Sequence, residues 1–224
     1  MPLLSPKPIA CFIAAASLLV TPSFAIEIPL SSQAVREAYF LGQRNNDSTQ
    51  DFLEKYRQHL PTPDSGPWIS TVELLTPYAE TVELSRQRSF GYSAQDAAQD
   101  YKKRGDTLRV TIIIEFTPSY GPMTESAPDN SHATNGYTPR PPDFWKDFSF
   151  RLFDGDTELT PLEKHGQPNY APGGIGTGAS TMTGATIVLT FDPAKIAALS
   201  DVAVVVDTPD GQQVVAPYDL TSLR

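Results

Sequence analysis

The sequence predicts a mainly β protein, an antiparallel β-sandwich with an N-terminal helical extension and one inserted helix. Two observations predict this fold class. From Trp68 onward, apolar residues alternate with polar ones, which is the side-chain period of a strand, and turn signals rich in Gly, Pro and Asp separate the alternating segments. Before Trp68, apolar residues recur at every third or fourth position, which is typical of helices. The segments expected to form strands are residues 69–75, 108–116, 148–152, 157–162, 185–191, 202–206 and 214–220.

The first 25 residues are typical of a secretory signal peptide. Lys7 precedes an apolar run from Ile9 to Val20, and small residues lead up to Ala25. The run is shorter than the roughly 20 residues that a membrane-spanning helix needs. We therefore expect cleavage after Ala25, and a mature protein that is secreted, or periplasmic in a bacterium with two membranes, without stable membrane insertion.

Composition narrows the classes of function. The only cysteine, Cys11, would leave with the signal peptide, so the mature chain would have no disulfide and no thiolate nucleophile. The net charge of -9 disfavours nucleic acid and anionic lipid as partners, since both require clustered Lys and Arg. The oligomeric state is not predicted.

A proline-rich stretch divides the chain into two expected parts. Residues 26–67 are an N-terminal helical segment with a proline-rich linker, and residues 68–224 are the β-sandwich domain. We expect one helix over residues 30–44 and a second over residues 49–59. Prolines then end the second helix.

Helical patterns also interrupt the β part. Residues 93–104 are expected to form a helix that Ser93 caps and Gly105 ends. Residues 78–88 fit either a continued strand or a helix. Asp192-Pro193 is expected to start a short helical turn.

Over residues 69–224 the pattern of short strands, with a helical turn between the penultimate pair, resembles an immunoglobulin-type antiparallel sandwich. The resemblance is one of pattern, because the Cys-Trp-Cys core of that family is missing and the helix at 93–104 interrupts the first two strands. An α+β antiparallel sheet with helices packed on one face is the alternative.

If consecutive strands run in opposite directions from residue 108 onward, two long connections meet at one end of the domain. These connections are residues 117–145 and 163–183, and the turn at 209–211 joins them there. Connections this long are uncommon in compact domains unless they are functional or disordered. Loops gathered at one end of a sandwich commonly form a binding surface.

Four aromatic residues in these connections are the candidate binding residues: Tyr120, Tyr137, Trp145 and Tyr170. Aromatic side chains supply much contact area at low entropic cost. The alternative is a solvated insertion whose aromatic residues only pin the loop to the domain.

Catalytic residues cannot be assigned, and no cofactor is predicted. His132, His165 and Asp129 could form a metal site, since imidazole and carboxylate suit zinc, and would support a small hydrolase or metal-dependent enzyme. A third possibility is a structural component of the cell envelope that assembles through an exposed strand edge at 214–220. The sequence favours a non-catalytic domain that binds a protein or glycan of the envelope or extracellular space.

Overall fold

The computed structural model describes residues 26–88, 90–125, 136–171, 180–196 and 199–224. Within these residues the helices are α1 (Ser32–Arg44), α2 (Asp47–Glu54), α3 (Pro77–Gln87) and α4 (Ala94–Arg104). The strands are β1 (Arg57–His59), β2 (Trp68–Leu75), β3 (Leu108–Glu115), β4 (Met123–Glu125), β5 (Tyr137–Pro139), β6 (Ser149–Asp154), β7 (Thr157–Leu159), β8 (Glu163–Ala171), β9 (Thr181–Phe191), β10 (Asp201–Asp207) and β11 (Gln213–Asp219). Short 3₁₀ turns lie at Phe144–Asp147, Pro193–Lys195 and Leu220–Ser222. The protein is mainly β.

Two antiparallel sheets carry the fold. The five-stranded sheet has the order β1-β2-β3-β9-β8, and the four-stranded sheet has the order β11-β10-β6-β7. The strands β4 and β5 form a separate two-stranded ribbon. All described strand pairs are antiparallel.

The alternating apolar residues of both sheets are buried in one core. Ile112 and Ile187 from the five-stranded sheet belong to the same buried cluster as Leu152 and Val204 from the four-stranded sheet. Tyr56, which precedes β1, is buried in this cluster too. Burial of these side chains removes apolar area from water and stabilises the packing of one sheet on the other.

The helices form a layer separate from the two sheets. Ala34 and Val35 of α1 pack with Tyr78 and Val82 of α3 in a separate apolar cluster. Glu80 of α3 ties this layer to the five-stranded sheet, as shown by its carboxylate oxygens, which lie 3.2 Å from Arg104 Nε of α4 and 3.3 Å from Arg109 Nη1 of β3.

Several expected elements are confirmed within one or two residues: α1, α4, β2, β3 and β11. Ser31 caps α1 by accepting from Ala34 N–H, and Ser93 caps α4 in a reciprocal capping box with Asp96. The undecided segment 78–88 is the helix α3, which Thr76 caps and Pro77 begins.

The expected helix over residues 49–59 is wrong in its second half. The helix α2 ends at Glu54, and Arg57–His59 pairs with β2 as an edge strand. The pairing is held by Leu74 N–H, which donates to Tyr56 O at 2.9 Å, and by Arg57 Nη2, which lies 2.6 Å from Glu73 Oε1. Tertiary pairing therefore overrides the local helical pattern.

The expected long loop over residues 163–183 is also wrong, because Glu163–Ala171 forms β8 along the edge of the five-stranded sheet. Gly166 and Pro168 lie within this strand and hide its period from sequence patterns. Edge strands tolerate both residues, since one side of the strand forms no ladder. Residues 172–179 lie outside the described residues, as does the predicted signal at 1–25.

Candidate binding surface at the loop end

The strand registers bring the main connections to one end of the domain. Four pairs of residues on neighbouring strands mark this end of the two sheets: Glu115 with Trp68, Glu115 with Gly184, Ala171 with Thr181, and Ser149 with Asp207. We call residues 60–67, 116–125, 136–148, 170–171 and 208–212 the loop end. The described parts of the expected connection 117–145 lie at this end, as predicted. The expected connection 163–183 reaches it only from Tyr170 onward, because Glu163 pairs with Thr190 at the opposite end of the sheet.

Hydrogen bonds join three segments of the loop end. Thr117 Oγ1 donates to Gly66 O at 2.6 Å, and Gly66 N–H donates to Ser119 Oγ at 2.9 Å. Gln212 Nε2 donates to Ser65 O at 3.1 Å. The proline-rich segment is therefore part of this surface and does not act as a free linker.

Arg140 fixes the base of the β4–β5 ribbon. Its backbone N–H donates to Pro122 O at 2.7 Å, and its Nε donates to Gly121 O at 2.9 Å. The guanidinium carbon lies 3.7 Å from the centroid of the Tyr120 ring, a cation–π contact. Arg140 thereby joins the start of β4 to the end of β5.

Tyr120 faces inward beneath Arg140. Its ring lies 6.2 Å from Phe116 and 6.3 Å from Phe144 and Phe148, measured between centroids. Burial raises the pKa of the Tyr120 hydroxyl, and the positive charge of Arg140 opposes that rise. The hydroxyl oxygen is buried without a hydrogen-bond partner among the described residues. Tyr120 is thus half-buried and anchors the loop.

Trp145 also packs inward. Its half-buried indole covers Gly166 of β8 so closely that a Cβ atom on Gly166 would lie 2.3 Å from Trp145 Cε2. Lys164 Nζ lies 5.8 Å from the Trp145 ring and 4.8 Å from the Phe150 ring, and this burial lowers the pKa of the ammonium group. Trp145 therefore holds the chain between β5 and β6 against the edge of the five-stranded sheet.

Tyr137 and Tyr170 remain as the exposed members of the predicted set, with 49% and 50% of their surfaces accessible. Met123, which the sequence did not single out, is 42% exposed on the other strand of the ribbon, where it pairs with Pro139 and lines the same cleft as Tyr137. The only sequence signal for Met123 was its place in the long loop.

Two clefts flank Pro122 at the loop end. One, of about 520 Å³, is lined by Met123, Tyr137 and Arg140 among others. The other, of about 400 Å³, lies between Pro122 and the β8–β9 edge and is lined by Asn169 and Glu115 among others. The second cleft brings the two predicted connections into contact, with polar and apolar groups side by side.

The predicted metal site stays a prediction. His165 is exposed on β8, whereas Asp129 and His132 lie outside the described residues. Within the residues that the structure describes, no three His, Cys, Asp or Glu side chains are grouped so that they could hold a metal ion. The described residues therefore give no geometric support to the hydrolase alternative.

The search of family models found no match to the chain, and the search of curated proteins found none either. Among the described residues, no helix is long and apolar enough to cross a membrane.

Proposed function

We propose that the protein is a secreted or periplasmic, non-catalytic binding domain that contacts a protein or glycan with its loop end. The observation that supports this proposal most directly is that Met123, Tyr137 and Tyr170 expose large side chains at the loop end. All three lie on strands and not in irregular loops. An aromatic ring held at a fixed position contributes contact area with little further loss of entropy on binding.

The base of the surface supports this proposal. Arg140 clamps the base of the ribbon, and Tyr120 packs beneath Arg140. Trp145 packs on Gly166 of β8, the strand that carries Tyr170. Both elements that bear the exposed rings are therefore held by fixed contacts. Preorganised surfaces of this kind bind more tightly than surfaces that must first order themselves. Arg140, Glu115 and the hydroxyls of the two tyrosines offer polar groups for orienting a partner.

The location and the finer fold belong to the same proposal. The signal-like segment at 1–25 supports export, and the single cysteine within it is compatible with a mature chain that folds without disulfides. The core shared by two antiparallel sheets supports an immunoglobulin-like sandwich, to which the helical layer adds an extra face.

The test compares paired substitutions of exposed aromatic residues. Tyr137→Ser with Tyr170→Ser removes the loop-end rings, and Phe40→Ser with Phe90→Ser is the matched control, because those rings are exposed on α1 and on the α3–α4 connection. Each protein is used to capture partners from an envelope extract and to probe a panel of envelope glycans.

We expect the tyrosine pair to lose at least tenfold in binding of a partner that the wild type retains, with an unchanged melting temperature. The phenylalanine pair should bind as the wild type does. Equal binding by the tyrosine pair and the wild type would refute the proposal.

A further inference from the structure

The strand β11 lies at an edge of the four-stranded sheet and pairs on one side only, with β10. Its register with β10 runs from Asp201–Asp219 to Asp207–Gln213 without a bulge. A regular edge strand has every second residue directed away from the sheet, with its backbone N–H and C=O unused by the ladder.

Three observations fix which residues of β11 face outward. Pro217 has no N–H, so its pair with Ala203 cannot be of the hydrogen-bonded type. Thr208 N–H donates to Gln212 O at 2.9 Å, and Leu220 N–H donates to Ser200 O at 2.7 Å, one pair beyond each end of the ladder. The alternation of antiparallel pairs therefore places the outward backbone groups on Gln213, Val215, Pro217 and Asp219.

The C-terminal part of this edge, around Pro217, is already covered. Gln58 Nε2 of β1 donates to Pro217 O, and Tyr218 Oη donates to Val72 O of β2 at 2.7 Å. In contrast, among the described residues Gln213 and Val215 have no backbone hydrogen bond outside the β10 ladder. Val215 is 49% exposed.

An apolar cleft of about 200 Å³ lies beside this open part of the edge. Trp68 forms one wall, and its indole N–H donates to Leu60 O at 3.0 Å, which fixes the ring. The remaining walls are Pro61, Pro63, Pro67, Ile69, Gln212, Gln213 and Val214. The cleft is therefore rigid and suited to a single apolar side chain.

The borders of the cleft are acidic. The two bordering segments, residues 60–69 and 207–215, contain Asp64, Asp207 and Asp210 and no Lys, Arg or His. Hydrogen bonds from Gln213, and then the charge of Arg151, hold the pKa of Asp207 below its usual range. Asp207 is paired with Arg151, whereas the exposed carboxylates of Asp64 and Asp210 favour a positively charged occupant.

We propose that an extended peptide adds to β11 as a further strand. Its backbone pairs with Gln213 and Val215, one apolar side chain enters the cleft beside Trp68, and Lys or Arg residues flank that side chain. Backbone pairing gives affinity and the pocket gives specificity in this mode of recognition. The cleft shares residues of the segment 60–67 and Gln212 with the loop end but includes neither Tyr137 nor Tyr170. Substitution of those two tyrosines therefore tests the loop-end proposal without touching this site.

The long edge strand of the five-stranded sheet provides a contrast. The strand β8 is also unpaired on one side, but it carries Lys164, Pro168 and a bulge between Asn169 and Tyr170. Lysine, proline and bulges are the devices that block strand addition. The one proline of β11, Pro217, lies in the part that Gln58 already covers. Of the two long edges, β11 is therefore the one with a stretch, Gln213 to Val215, that is open to a peptide.

Hydrogen exchange of the full chain tests the edge without any ligand. We expect the amides of Gln213 and Val215 to exchange much faster than those of Val214 and Ala216, since only the latter bond to β10. Equal protection of all four amides, or protection that rises with protein concentration as a second copy pairs, would overturn the proposal.

Selection of a displayed library of random decapeptides on the full chain then tests the occupant. We expect enrichment of peptides with a central apolar residue and net positive charge. Val215→Pro removes one outward N–H that β10 does not use, and Val215→Thr is the matched control that keeps it.

Binding of the enriched peptides should weaken about tenfold in Val215→Pro, as expected for one lost hydrogen bond, and change less than about twofold in Val215→Thr. Asp64→Lys, a change on an exposed side chain, should weaken binding as well. No enrichment, or equal binding to Val215→Pro and wild type, would overturn the proposal. Tyr137→Ser with Tyr170→Ser should leave this binding unchanged.

Discussion

Substitution of Gly166 by alanine tests the assignment of Trp145 as a packing residue. The new Cβ would lie 2.3 Å from Trp145 Cε2 and 2.5 Å from Cδ2. Carbon atoms in favourable contact are roughly 3.5–4.0 Å apart, so the indole would have to move by more than about 1 Å. Its surroundings, Lys164 and the Phe150 side of the core, restrict that movement.

The magnitude follows from two opposing effects. Overpacking a filled site costs about 1–3 kcal/mol, while replacing glycine by alanine in a strand gains roughly 0.5–1 kcal/mol. We therefore expect Gly166→Ala to lower the free energy of unfolding by about 1–2 kcal/mol. In a Trp145→Ala background the clash is absent, and the same change should be neutral or stabilising.

The assay is a double-mutant cycle by equilibrium urea denaturation. Gly121→Ala is the control, because its Cβ would meet only Thr117 O, at 3.9 Å, and should change stability little. A cost of Gly166→Ala that is the same with and without Trp145 would refute the assignment and return Trp145 to the set of possible contact residues.

Three further predictions concern the helical layer and the ribbon. Gly42→Ala should destabilise the protein by about 1–2 kcal/mol, because the new Cβ would lie 2.3 Å from Val82 O of α3. This cost outweighs the better helix propensity of alanine, and thermal and urea unfolding measure it. Burial raises the pKa of Tyr101 to about 12, with a smaller contribution from its hydrogen bond to the Asp106 carboxylate. The unfolded chain therefore ionises at a lower pH than the folded one, and the free energy of unfolding should fall as pH rises from about 10 to about 12. Tyr101→Phe should make that part of the stability–pH curve less steep, and an unchanged slope would contradict the assignment. Arg140→Ala removes the Tyr120 contact and the hydrogen bond to the ribbon base, and should cost about 2 kcal/mol; a loss below about 0.5 kcal/mol would show that the clamp does not hold the ribbon.

The sequence predicts the interior of the fold better than its edges. The strand β3 alternates strictly because one face lies in the core, and α4 carries a complete capping box. In contrast, β1 and β8 are edge strands whose structure depends on pairing with β2 and β9. Gly166 and Pro168 also hide the strand period of β8. No local pattern indicates such pairing.

The candidate site was predictable in position but only partly in its residues. The direction of the strands brings the connections to one end, and that much follows from segment order. Which aromatic rings face solvent depends on packing: Tyr120 lies beneath Arg140, Trp145 covers Gly166, and Tyr137 is free on a ribbon strand. Composition cannot distinguish an anchoring ring from an exposed one, because both occur in loops of the same character.

Site-specific crosslinking tests the central claim most directly. A photo-reactive phenylalanine analogue is placed at position 137, and in a separate protein at position 90, in the cells that produce the chain. We expect a discrete crosslinked partner from position 137 that excess wild-type protein competes away, and no such adduct from position 90. The same adducts from both positions, or none from position 137, would contradict a binding surface at the loop end.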